Sequence, residues 1–279
     1  MFAIATGCHG GPNAALTDLA EARQVAADLR VQFNKASDAS NRAVMADTDE
    51  ASVTFAGEAE QMKVAVQKDI AALAPRLQNL AYTAEMQSLE GFETHLAEYD
   101  KIDHDILELA VENTNLKAQR LSFGPAREAT DAFRDALAPL AAHTPSKERC
   151  QVESLVAKAV VSVREIQVLQ APHIAESDDS VMTRMEQQMN ALNVTARDAV
   201  SALPDLVEPD VRPLVATAVE ALDRFDGISK EIVTLSRHNS NVRSLELAIR
   251  RKPAITAACD ESLRALQDAL AKEAFNATR

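Results

Sequence analysis

Two short polar runs carry the side chains best suited to holding a ligand: Asn113, Asn115 and Lys117, and later Asn239, Asn241 and Arg243. Amides next to a cation can bind a carboxylate-bearing molecule, because their N–H groups and the charge meet its oxygens. The same residue types also stop one helix and start another, since Asn tolerates the left-handed backbone conformation that ends a helix. The turn reading is the simpler one, because it explains both runs without a ligand.

Other chemistries have thinner support. Di-iron helical proteins place Glu three residues before His on two helices. Here Phe92, Lys101 and Leu235 stand in that place before His95, His104 and His238. Met182, Met185 and Met189 have helical spacing, which suits a haem ligand but more often fills a core. Asp100, Asp103, His104, Asp105 and Glu108 crowd one stretch. They read either as a divalent-cation site or, more simply, as the solvated face of a helix. No Gly-x-Ser-x-Gly elbow, Gly-rich phosphate loop or zinc-spaced Cys/His set is present. The expectation is a protein that is not an enzyme, with no catalytic residue, no metal and no cofactor.

The start of the chain reads MFAIATGCHGG. Ala5-Thr6-Gly7-Cys8 resembles the end of a bacterial lipoprotein signal, in which small residues precede a Cys that becomes lipidated. Seven residues before Cys8 are too few for a whole signal, which needs a basic start and an apolar region. Met1 is therefore expected to be internal to a longer signal, and residues 1–13 to be a signal remnant and tether. That places the protein outside the cytoplasm, in the periplasm or envelope. The alternative is a cytoplasmic protein with an incidental Cys. Cys150 and Cys259 lie in helical stretches, and whether they pair is open.

Composition narrows the fold. Asp plus Glu number 42 against 29 Lys plus Arg, a net charge of −13, which argues against nucleic acid as a partner. With 7 Gly in 279 residues, no Trp and 4% aromatics, the chain lacks the turns and β-rich runs of strand folds. Leu89, Phe92, Leu96, Tyr99, Ile102, Ile106 and Leu109 step by helical intervals, as do Val215, Ala218, Leu222, Phe225, Ile228, Ile232 and Leu235. Asp47-Thr48-Asp49-Glu50 and Glu176-Ser177-Asp178-Asp179 offer side-chain oxygens that can accept from the free N–H groups of new helices. Pro75, Pro172 and Pro204 are expected to end segments, and Pro125 and Pro253 to kink or restart the helices that hold them.

The chain also repeats itself. At an offset of 126, Asp100, Ile102, Ile106, Leu109, Asn113, Asn115 and Leu121 recur as Asp226, Ile228, Ile232, Leu235, Asn239, Asn241 and Leu247. At an offset of 129, Ala46, Asp49, Thr54, Asp69 and Pro75 recur as Ala175, Asp178, Thr183, Asp198 and Pro204. Each copy reads as four helices, about 14–46, 49–74, 82–112 and 115–142, then 148–172, 178–203, 209–238 and 241–276. The expected fold is all-α: two tandem up-and-down four-helix bundles of antiparallel helices, 14–142 and 148–279, divided at the polar break 143–147.

The run from Phe92 to Leu137, with the ADTDE turn at 46–50 upstream, resembles the four-helix-bundle sensor module of methyl-accepting chemotaxis proteins and related sensor kinases. The resemblance covers 14–142 well and 148–276 more loosely. It implies an extracytoplasmic input module that binds a small molecule or a partner receptor, usually as a homodimer; the Cys8 signal, read separately, would add a lipid as a membrane tether. No receptor signalling region follows in this sequence. The alternative is a structural or scaffold lipoprotein whose bundles act as a spacer or docking surface.

Overall fold

The structure is a computed structural model, and it describes residues 12–276. Among them the regular structure is entirely helical. The helices are α1 (Pro12–Val44), α2 (Asp49–Asn79), α3 (Thr83–Glu112), α4 (Thr114–Leu121), α5 (Arg127–Leu137), α6 (Arg149–Ala175), α7 (Asp179–Ser201), α8 (Arg212–His238), α9 (Ser240–Arg250) and α10 (Lys252–Asn276). Cys8 and the rest of residues 1–11 lie outside the described residues, so lipidation stays an expectation.

The caps form where the sequence places them. Thr48 Oγ1 accepts from Ala51 N–H at 3.1 Å, and Asp178 Oδ1 accepts from Ser180 and Val181 N–H at 2.7 and 3.1 Å. Each satisfies N–H groups that the first helical turn leaves without a partner. Pro125 sits in a π-helical turn, Ser122–Ala126, that separates α4 from α5, and Pro253 follows the break at Arg251. A wider turn absorbs the missing proline N–H without ending the helix. Pro75 and Pro172 do not end their segments. Both lie inside helices, which run on to Asn79 and Ala175.

The chain divides into two compact units, but not at 143–147. The first unit is Met1–Glu112 with Arg243–Arg279, and the second is Asn113–Val242. Residues 14–142 and 148–279 are therefore not the units. The 143–147 break is a loop inside the second: Leu140 and Val152 on either side share one core, and buried Thr144 donates to Leu140 O at 2.6 Å. Thus the fourth helical segment of each copy belongs with the first three of the other. The reason is physical. A duplication makes the two sets of apolar seams alike, so either fourth segment can fill either core, and helical periodicity cannot choose between them.

In the first unit α1, α2, α3 and α10 each contribute a stripe to one core, with Phe33, Leu73, Phe92 and Leu266 fully buried. Phe33 meets Phe92 and Tyr99 edge to face, at centroid distances of 5.8 and 5.1 Å. In the second unit Phe133 of α5, Val163 of α6, Val200 of α7 and Phe225 of α8 anchor the core. Here α7 packs chiefly on α6, and α8 chiefly on α4 and α5. The seam between α7 and α8 is thinner than that between α6 and α7, and it is where a groove forms.

Candidate functional site

The asparagines that are candidates for a ligand, or more simply for turns, bind each other. Asn113 and Asn239 hold φ of 51° and 57°, the left-handed conformation, and separate α3 from α4 and α8 from α9. Thr114 N–H donates to Ser240 Oγ and Ser240 N–H donates to Thr114 Oγ1, both at 3.0 Å. Asn115 N–H donates to Asn241 Oδ1, and Asn241 N–H to Asn115 Oδ1, both at 3.1 Å. The amides add cross-links: Asn115 Nδ2 to Asn239 Oδ1 at 2.7 Å and Asn241 Nδ2 to Asn113 Oδ1 at 2.9 Å. Each helix start is capped by the side chains of the other. Lys117 and Arg243 are exposed and stand apart from this exchange, and Arg243 falls in the first unit.

The acidic stretch is not uniformly a solvated face. Asp103 is wholly buried, with its oxygens 3.0 Å from Lys252 Nζ and 3.2 Å from Lys63 Nζ. Lys252 is also buried; it donates to Ser40 Oγ at 2.6 Å and lies 5.4 Å from the Tyr99 ring centroid. Burial pulls the Lys252 ammonium below the usual lysine range, against the pull of Asp103. Burial also works to lower Lys63, but Glu60 and Asp103 outweigh it and raise the group. Burial, then the Asp103 charge, push the Tyr99 phenol far up. His104, Asp105 and Glu108 are exposed. Among the described residues no group of three His, Cys, Asp or Glu is arranged to hold a metal.

The second unit carries a groove of about 310 Å³ along the α7–α8 seam, floored by Ile166 of α6. From α7 come Glu186, Met189, Asn190 and Asn193, at the spacing that places residues on one helical face. Phe225, Asp226, Ser229, Lys230, Val233 and Thr234 of α8 line the other wall. Its carboxylates are held in fixed places. Glu186 Oε1 accepts from Arg237 Nε at 2.6 Å and faces His173 Nε2 at 2.9 Å; Oε2 accepts from Arg237 Nη2 at 3.0 Å. The hydrogen bond from Arg237 keeps the Glu186 carboxyl below the usual range. Asp226 accepts from Asn193 Nδ2 and Lys230 Nζ, both at 2.8 Å, and from Arg197 Nη2 at 3.3 Å. That bond fixes the Asn193 amide, whose Oδ1 is buried and accepts from no donor.

Behind Glu186 the chain of contacts runs on to a serine. His173 Nδ1 lies 2.8 Å from Ser236 Oγ, so Ser, His and Glu stand in the order of a hydrolase relay. Ser236 Oγ donates to His173 O at 2.7 Å, and both residues are completely buried. The hydroxyl proton is engaged with the backbone, and the oxygen faces no opening. The relay pins α6 to α8 and steadies Glu186.

Comparison with protein-family models, with curated proteins and with solved structures gives no match to this chain.

Sequence reasoning missed the groove, the His173–Glu186–Arg237 link and the Asp103–Lys252 pair. For the groove a signal existed. Asp226 is the repeat of Asp100, but Glu186 and Asn193 replace Gly57 and Val64 at the other offset, so polar groups appear on α7 where the first copy has none. For the Asp103 pair no local signal existed, because Lys252 lies far along the chain.

Proposed function

We propose that the chain is a non-enzymatic, extracytoplasmic ligand-binding module of the sensory type, built as two four-helix bundles like the input domains of chemoreceptors. One observation carries the reading: the α7–α8 groove, where apolar and polar side chains from three helices meet in a recess of about 310 Å³. That is the small end of the range of ligand sites, which combine apolar walls with a few fixed polar groups. The buried Ser236 and the engaged Glu186 support a binding role over a catalytic one. The Cys8 signal resemblance supports an envelope location and a lipid tether, which metabolic labelling with a fatty acid tests through the Cys8→Ser variant.

A thermal-shift screen of the whole chain against amines, organic acids, amino acids and sugars tests the binding role. A ligand at a hundred times its dissociation constant raises stability by about 2.7 kcal/mol. A screen without any shift favours the second reading, a spacer or docking scaffold. That reading draws on the asparagine cluster, whose amides are engaged with one another.

A further inference from the structure

The lining of the α7–α8 groove has a chemical bias. Its acceptors are the Glu186 and Asp226 carboxylates and Ser229 Oγ, while Asn193 Oδ1 is enclosed and out of a ligand's reach. The one cation in the lining, Lys230, is 76% exposed at its side chain and tied to Asp226 one turn back on its own helix. Arg237 and Arg197 hold Glu186 and Asp226 in place from outside the lining. Phe225, Met189, Ile166 and Val233 supply the apolar part, and an aromatic face attracts cations. The chain's net charge of −13 favours the approach of cations over anions.

From this we infer that the groove takes a small organic amine: a protonated amino group on a compact apolar body, with no carboxylate of its own. The body lies on Phe225 and Met189, and the ammonium takes the place of Lys230 Nζ on Asp226. The inference rests on the ligand-binding reading above and gives it a ligand class. The first copy offers a contrast. There Lys63 and Lys252 supply ammonium groups to buried Asp103. In the second unit Ser229 stands at the position of Asp103, Leu192 at that of Lys63 and Ala126 at that of Lys252. The enclosed carboxylate and its lysines are both gone, and the carboxylate that remains there, Asp226, lines the groove.

The test is titration calorimetry of the whole chain with 2-phenylethylamine and hexylamine, against 3-phenylpropionate, hexanoate and phenylalanine. The amines are expected to bind and the carboxylates not. Asp226→Asn should weaken amine binding about tenfold, the loss of one charge-assisted hydrogen bond. Lys230→Gln, on an exposed side chain, should tighten it by freeing Asp226. Circular dichroism melts establish that each variant is folded. Binding of the carboxylates or of phenylalanine in place of the amines overturns the amine class while leaving a ligand-binding module. Unchanged or weaker amine binding in Lys230→Gln also overturns it. No heat from any of the five compounds, in a folded chain, overturns the amine class, and the wider thermal-shift screen then decides the ligand-binding reading by itself.

Discussion

Asn115 and Asn241, 126 residues apart, each accept the other's backbone N–H on the side-chain oxygen, both at 3.1 Å. The separation equals the offset of the internal repeat, so equivalent residues of the two copies meet each other. Thr114 and Ser240 do the same. Residues retained through a duplication here answer to each other, which explains their persistence without a ligand.

Removing either cap should therefore cost stability and leave ligand binding intact. Asn115→Ala strips one cap from α9 and the bonds to Ile174 O and Asn239. A lost cap costs about 1 kcal/mol, and a buried acceptor left unpaired about 1–3 more. Urea melts of Asn115→Ala should fall by that sum. Lys117→Ala, on an exposed side chain outside the exchange, should leave the midpoint unchanged.

The buried Asp103 should tolerate loss of its partners poorly. Lys252→Met leaves a carboxylate fully enclosed with only Lys63 beside it. Breaking a buried pair costs about 3–5 kcal/mol, whereas replacing all partners with apolar groups is often close to neutral. The triple variant Asp103→Leu, Lys63→Leu, Lys252→Met should thus be more stable than Lys252→Met alone. Chemical denaturation of both distinguishes the outcomes, and equal midpoints would show that the pair carries no such coupling.

The two units should respond differently to acid. In the second, the Glu186 carboxyl is held below its ordinary 4.5 by Arg237. The unfolded chain then binds more protons between the folded value and 4.5, so stability is present above 4.5 and drains as pH falls through the folded value. In the first unit, burial raises Asp100 above its ordinary 3.8, with Lys63 opposing. There the folded state binds more protons, so that contribution improves as pH falls through the raised value. Hydrogen exchange read by peptide should show α6–α8 losing protection below pH 4.5 before α3 does.

How much of this was legible follows from where the information lies. The helices, the Thr48 and Asp178 caps and the left-handed stops at Asn113 and Asn239 are local, decided within a turn or two, and they appear as the spacing implies. The apolar stripe of α3 also forms, but it runs Leu96, Tyr99, Asp103, Ile106, so a carboxylate occupies a core position. Nothing near Asp103 announces the lysine from α10 that permits its burial. The assignment of the fourth helices to units was equally hidden, because two copies of one seam are interchangeable in sequence. The groove depends on how loosely two helices meet, a property of packing that no single residue carries.

Thiol chemistry should separate the two described cysteines. Both are free, Cys150 exposed and Cys259 buried in the first unit's core. Burial, then the Asp100 and Glu98 charges, push the Cys259 thiol up to about 12. The thiolate is the reactive form, so Cys259 should stay unmodified by iodoacetamide at pH 8 while Cys150 is alkylated. Peptide mass mapping with and without urea checks this, and alkylation of Cys259 in the native chain would contradict its enclosure.

The turn after α2 offers a stabilising change. Ala81 has φ of 55°, a left-handed backbone on a residue with a Cβ. It occupies the position where helices usually end on Gly: Ala81 N–H donates to Gln78 O and Tyr82 N–H to Leu77 O, both at 3.0 Å, the paired bonds of a Schellman ending. Tyr82 packs against the core that includes Leu77, which holds the motif closed. The left-handed state costs a non-glycine residue about 1–2 kcal/mol, and Gly's greater freedom in the unfolded chain returns about 0.4–1 of that. Ala81→Gly should therefore raise stability by about 0.5–1 kcal/mol. For contrast, Ala81→Val adds β-branching at the same φ and should lower it. A urea midpoint that falls in Ala81→Gly would mean the turn carries no strain to relieve.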